Sequence, residues 1–125
     1  MNRSDGLSGP YAIGIGAFLV LEGIWGMFSP VVFGFLTTNR THAVIHIVLG
    51  LVGIWTGLKG GSRGFCMFLG VLLLVVGVLR FVPGAGDLIV SILNVNPAVA
   101  CVNIVVGIVS ILIARASQRT PVAVT

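Results

Sequence analysis

The chain has 125 residues, of which 57% are hydrophobic and only 8% are charged, and its formal net charge is +4. A water-soluble domain of this size needs more charged residues to cover its surface. The seven Lys and Arg residues are scattered and form no basic patch, which argues against a nucleic-acid partner. The composition predicts an integral membrane protein in contact with the lipid bilayer.

Four apolar runs, at about 11–28, 41–58, 64–82 and 97–116, are each close to the roughly 20 residues that cross a bilayer as a helix. They predict an all-α membrane protein with four transmembrane helices. We divide the chain into a cytoplasmic tail (1–10), a transmembrane domain (11–116) and a C-terminal tail (117–125).

The first run carries small residues and Leu19 at helical spacing, which predicts a packing face at Ala12, Gly16, Leu19, Gly23 and Gly26. Glu22 is the one charged residue deep in any run. Ser29 and Pro30 end the run. The segment 31–36 is too short to span and too apolar for an ordinary loop, so we predict an interfacial short helix or re-entrant turn.

The second run begins after Asn39 and places five residues on one helical face, namely His42, His46, Gly50, Gly53 and Gly57. Its other faces carry bulky side chains. This pattern is typical of a membrane helix that packs through its small, partly polar side.

The third run places Cys66, Gly70, Gly77 and Arg80 near one face, and Asp87 is predicted to cap a second apolar segment at 88–93. The fourth run carries Cys101, Asn103, Gly107 and Ser110. Its direction is opposite to that of the third run, so the two cysteines are expected as buried thiols near opposite membrane faces, too far apart for a disulfide.

The chain reads as an internal duplication. A shift of 57 residues aligns Asn39 with Asn96, His46 with Asn103 and Gly50 with Gly107. We predict two parallel two-helix repeats, 11–58 and 64–116, each with an interfacial apolar segment between its spans. The inverted repeat common in transporters is absent.

The basic residues indicate orientation. Five flank one side of the predicted bundle (Arg3, Lys59, Arg63, Arg115, Arg119) and two flank the other (Arg40, Arg80). This asymmetry predicts that both termini are cytoplasmic.

Four polar residues fall at similar depth in one half of the bilayer, on or beside the small-residue faces. We predict that they form one buried polar cluster, with Glu22 facing Arg80 or His46: Glu22, His46, Arg80 and Asn103. Such pairing is expected because an isolated charge in hydrocarbon is costly.

His46, and less favourably His42, is a candidate axial ligand for haem or chlorophyll, with Gly50 leaving room for the ring. No other helix carries a histidine, which excludes bis-histidine haem within one chain. No metal site, catalytic motif or certain cofactor is expected, although a bound lipid stays open.

Two segments support a resemblance. They are the Asn-x-x-His-x-x-x-His-x-x-x-Gly run from Asn39 and the Gly77-Val-Leu-Arg-Phe-Val-Pro-Gly run, followed by Asn94-Val-Asn-Pro. They resemble a bacterial family of small four-helix membrane proteins known only as a domain of unknown function. Val99 and Asn103 stand where the resemblance implies histidines.

The sequence favours a non-enzymatic accessory or structural subunit of a larger bacterial inner-membrane complex. Exposed apolar faces would then contact partners or lipid, with aromatic side chains such as Phe33, Trp55 and Phe65. Two alternatives stay open. One is a tetrapyrrole- or ligand-binding module that uses His46, and the weaker one is a homo-oligomeric channel or transporter that uses Glu22.

Overall fold

The computed structural model describes residues 6–119, with side chains as far as Ser117. The elements in chain order are α1 (Ser8–Phe28), β1 (Val31–Val32), β2 (Leu36–Thr37), α2 (Arg40–Lys59), α3 (Ser62–Leu79), α4 (Ala85–Leu93) and α5 (Pro97–Arg119). Residues 1–5 and 120–125 of the predicted tails lie outside the described part, as do Arg3 and the side chain of Arg119.

Four helices, α1, α2, α3 and α5, are long and apolar enough to cross a membrane. The predicted four-helix membrane fold is therefore confirmed, with one short β-hairpin added. The hairpin end of the bundle holds β1, β2 and α4, and the turn end holds the Gly60–Gly61 connection between α2 and α3.

Helix α1 begins three residues before the predicted run, at Ser8, because Ser8 is tied to α5. The Ser8 backbone N–H donates to Ser117 Oγ at 2.9 Å, and the two hydroxyl oxygens lie 2.7 Å apart. Ser117, assigned by sequence to the tail, is buried inside α5. The first and last spans are thus joined at the turn end.

The helices pack as two close pairs, α1 with α2 and α3 with α5. Gly16 lies against Gly50 so closely that a Cβ on Gly16 would be 2.6 Å from the Gly50 carbonyl oxygen. In the other pair, a Cβ on Gly70 would lie 2.7 Å from the Gly107 carbonyl oxygen. These glycines let the backbones touch, which is the usual role of small residues between membrane helices.

An apolar core fills the space between the two pairs, and its buried members are Ala12, Leu19, Phe65, Cys66, Leu69, Leu73 and Ala114. Phe65 was expected on the outer surface, but it is only 6% exposed because its ring fills the gap left by Gly53. Cys66 is buried and Cys101 is exposed, and the two do not form a disulfide with each other. The prediction of a buried Cys101 is therefore wrong.

The segment 31–36 does not form the short helix that was one of the two expectations. It is part of a two-stranded antiparallel hairpin in which Val32 pairs with Leu36. The chain reverses through two consecutive positive φ angles, 57° at Phe33 and 82° at Gly34, which no short helix can contain. Val32 and Leu36 are buried against α5 and the segment before it, so the hairpin closes one end of the bundle.

The second interfacial segment is helical, as α4. Its N-cap residue is Gly84, and Asp87 lies in the first turn, where a carboxylate favours the helix dipole without capping the helix. Asn94 ends α4 in the left-handed conformation, with φ of 53°. The two interfacial segments therefore differ in secondary structure although they occupy matching places in the chain.

Candidate functional site

The centre of the polar cluster is a contact between α1 and α2. His46 Nδ1 lies 3.1 Å from Glu22 Oε1, and the two side chains are only 6% and 13% exposed. Both residues stand about one and a half turns from the hairpin end of their helices. The carboxylate can accept a hydrogen bond from the imidazole here, which limits the penalty of placing a carboxylate in hydrocarbon.

His42 extends this contact by one helical turn. Its ring packs edge-on against the His46 ring with 4.2 Å between ring centroids. His42 Nδ1 lies 3.1 Å from the Leu93 carbonyl oxygen at the end of α4. Because a carbonyl only accepts, Nδ1 carries the hydrogen, and Nε2 of the neutral ring keeps its lone pair.

Asn103 faces the histidines from α5. It is 6% exposed. Together with His46 it lines two recesses, one that also includes Glu22 and one that also includes His42. The recess beside α1 has a volume of about 20 Å³, and the one that also includes His42 has about 90 Å³. The first is close to the space of one water molecule, and the second is clearly larger.

Arg80 does not join Glu22, His46 and Asn103. Its Nε donates to the Val95 carbonyl oxygen at 2.7 Å, and its neighbours are the residues of the connection to α4. Arg80 follows the last residue of α3, so the flexible side chain reaches the end of the bundle instead of its interior. The structure brings together three of the four predicted cluster residues.

Sequence reasoning missed the hydrogen bonds that hold this site in place. Asn39 Oδ1 accepts from the His42 backbone N–H at 2.8 Å and so caps α2, while Asn39 Nδ2 donates to the Ile92 carbonyl oxygen at 2.9 Å. Asn96 caps α5 in the same way, through Val99, and donates to the Phe35 carbonyl oxygen at 2.9 Å. An Asn before a helix is a capping signal that the sequence displays. The sequence does not show that each Asn also donates to a backbone carbonyl oxygen elsewhere in the chain.

Three more hydrogen bonds join the two halves of the chain without having been predicted. Thr37 Oγ1 donates to the Asn94 carbonyl oxygen at 2.6 Å, and Asn94 Nδ2 donates to the Thr38 carbonyl oxygen at 2.8 Å. Nearer the turn end, the hydroxyl groups of Tyr11 and Ser110 lie 2.6 Å apart. The cluster therefore sits within a bundle that polar contacts hold at both ends.

The predicted space for a tetrapyrrole beside Gly50 does not exist. A Cβ on Gly50 would lie 2.5 Å from the Gly16 carbonyl oxygen and 2.6 Å from a Val20 methyl group, so α1 already fills that space. The residues present do not fit an axially ligated haem or chlorophyll at this position.

The other predicted packing residues also lie between helices. A Cβ on Gly23 would meet the Ala43 carbonyl oxygen, one on Gly57 that of Gly9, and one on Gly77 that of Ala100. Ser110 is fully buried. Within the described residues, no group of three metal-ligating side chains occurs.

The spans and the buried polar cluster define a small multi-pass membrane protein. The chain belongs to the family described as a domain of unknown function, DUF4383, whose model matches residues 29–116. This confirms the resemblance seen in the sequence. Helix α1, with Glu22, lies outside the matched range. No curated protein and no solved structure matches the chain.

Proposed function

We propose that this protein is a non-enzymatic accessory subunit of a larger membrane complex in the bacterial inner membrane. The observation that carries this proposal is a group of exposed aromatic side chains in which Phe33 of the hairpin contacts Phe18 and Trp25 of α1, with Phe28 and Phe35 exposed on the same two elements. We call it the aromatic face.

The aromatic face is held in a fixed arrangement. The Phe33 ring stacks on Phe18 with 5.9 Å between centroids and meets Trp25 edge-on at 4.9 Å. Phe33 is a non-glycine residue at φ of 57°, a conformation that costs about 1 kcal/mol or more. A strained residue that is nevertheless 49% exposed is better suited to contacting a partner than to filling the interior.

The positions of the glycines support the same proposal. Gly16, Gly50, Gly70 and Gly107 pack between helices of one chain, so the surface that remains for neighbouring molecules consists of bulky side chains. Rigid aromatic side chains are effective anchors in protein interfaces because they bury much area with few torsions.

The proposal is tested by the size of the native assembly after mild detergent extraction. We expect migration as a particle far larger than 13.0 kDa that contains other polypeptides, and loss of those polypeptides in Phe33→Ala. The matched control is Phe68→Ala, which removes a similarly exposed ring on α3. A small homogeneous particle, or identical assemblies in both variants, would contradict the proposal.

For orientation, we propose that both termini and the Lys59–Arg63 turn are cytoplasmic, on the basis of the charge asymmetry. A water-soluble thiol reagent checks this in a cysteine-free background. A cysteine introduced at Gln118 should react only after the cell membrane is opened, whereas one introduced at Asp87 should react in intact cells once the outer envelope is permeable.

We also infer that the two helix pairs arose by duplication. The supporting observation is that Asn39 bonds Ile92 and Asn96 bonds Phe35. The two asparagines are related by the shift of 57 residues that aligns the repeats, and the same shift relates Phe35 to Ile92. Each repeat therefore makes the same contact to the other.

A further inference from the structure

Asn103 is a buried polar side chain whose amide group has no hydrogen-bond partner among the described residues. It is 6% exposed. A buried amide without a partner is unfavourable, because it has lost hydrogen bonds to water without replacing them. The side chain borders both recesses that His46 lines, so a bound molecule can supply the missing hydrogen bonds.

The larger recess has the composition of a binding site for an amphiphile. Its polar members, His42, His46 and Asn103, are surrounded by the side chains of Ile45, Leu49, Leu72, Leu73, Val76 and Leu93. Ile45 is 38% exposed on the outside of α2, so the recess reaches the surface that faces lipid. A few convergent polar groups in an apolar recess are typical of small-molecule sites.

We propose that this recess binds a membrane-soluble molecule with an apolar body and a hydroxyl head. The hydroxyl donates to Nε2 of His42 and accepts from the side-chain amide of Asn103. This proposal goes beyond the accessory role and does not depend on it, because the site lies between the helices and not on the aromatic face.

The hydrogen-bonding capacity of the site selects this head group. His42 offers an acceptor, since its Nδ1–H is already bonded to Leu93, and Asn103 offers both a donor and an acceptor. A ketone or ether cannot donate to the imidazole. An ionised carboxylate likewise has no hydrogen to donate to Nε2 of His42.

The proposal is tested on the full chain in lipid nanodiscs with two probes of nearly equal shape, 1-decanol and its methyl ether. Their effects are compared at equal mole fraction in the lipid, by the NMR signals of the Asn103 side-chain amide and the His42 ring. We expect both signals to shift and saturate with decanol, at an apparent affinity about tenfold higher than with the ether. Equal responses to both probes, or none, would overturn the proposal and leave the recess to water or lipid chains.

A variant gives a second measurement. Asn103→Leu should abolish the preference for decanol over the ether, as read from the His42 signal, whereas Cys101→Ala, an exposed change on the same helix, should retain it. If Asn103→Leu still prefers decanol over the ether, Asn103 does not bind the hydroxyl head and the proposed role of Asn103 is wrong. If this variant does not fold, the comparison of the two probes on the unchanged protein decides the question.

Discussion

Asn39 and Asn96 make the same pair of hydrogen bonds in opposite directions. Each caps its own helix, and each donates, at 2.9 Å, to a backbone carbonyl of the other helix pair. Two side chains thus fix both the start of a span and the position of the neighbouring interfacial segment.

Substitutions at Asn39 separate these two contributions. Asn39→Ser keeps a capping oxygen but loses the donor to Ile92, so we expect a loss of about 1 kcal/mol. Asn39→Ala loses both and should cost about 2 kcal/mol. The midpoint of denaturant-induced unfolding in detergent measures both changes. Wild-type stability in Asn39→Ser would show that the link to Ile92 does not contribute.

The contact between Gly16 and Gly50 leaves no space for a methyl group. Gly16→Ala would place its Cβ 2.6 Å from a backbone oxygen that cannot move aside, so we expect α1 and α2 to separate, with a loss of about 1–3 kcal/mol. The control is Gly14→Ala on the same helix, where a Cβ meets nothing within 4 Å. There we expect a gain of about 0.5–1 kcal/mol from helix propensity. Thermal unfolding of both variants should therefore shift in opposite directions.

Glu22 is expected to act through its contact with His46. Glu22→Ala leaves the imidazole without this partner and should lower the free energy of unfolding by about 1–3 kcal/mol, whereas Glu22→Gln keeps a hydrogen-bond acceptor and should lower it less. The His46 ring signals in NMR report the contact directly. Unchanged stability in Glu22→Ala would mean that the pair does not stabilise the fold.

The link between α1 and α5 at the turn end gives a fourth prediction. Ser117→Ala removes the acceptor of the buried Ser8 backbone N–H, and we expect a loss of about 1–2 kcal/mol. Ser91→Ala, an exposed change in α4, serves as control and should leave stability unchanged. Equal unfolding midpoints for the two variants would argue against a role for this link.

The four spans could be predicted because their length and apolar composition define them. The packing faces of α1 and α2 could be predicted because helical periodicity places Gly16 and Gly50 on the inward side of their helices. The hairpin could not be predicted, since it depends on a positive φ at Phe33, a residue type that rarely adopts one. Apolar content alone does not distinguish this segment from α4.

The cluster was predicted in part, for a similar reason. Depth along the helices placed Glu22, His46 and Asn103 at one level, and the spacing of small residues turned them inward. The same depth argument wrongly added Arg80 to the cluster. A long side chain at the end of a helix can reach several hydrogen-bond acceptors, and Arg80 donates to the Val95 carbonyl oxygen. Contacts to backbone carbonyls, such as those of Asn39, leave no trace in a residue pattern.

The hydrogen bonds between Ser8 and Ser117 bring the start of α1 and the last turns of α5 together at the turn end. The short connection at Gly60 and Gly61 lies at the same end of the bundle. The order of the helices along the chain is therefore separable from their arrangement in space. A circular permutant that joins residues 119 and 8 by a linker and opens between Gly60 and Gly61 would insert the α3–α5 pair first. Such a chain would reveal whether each pair reaches its packed form without the other already being in the membrane.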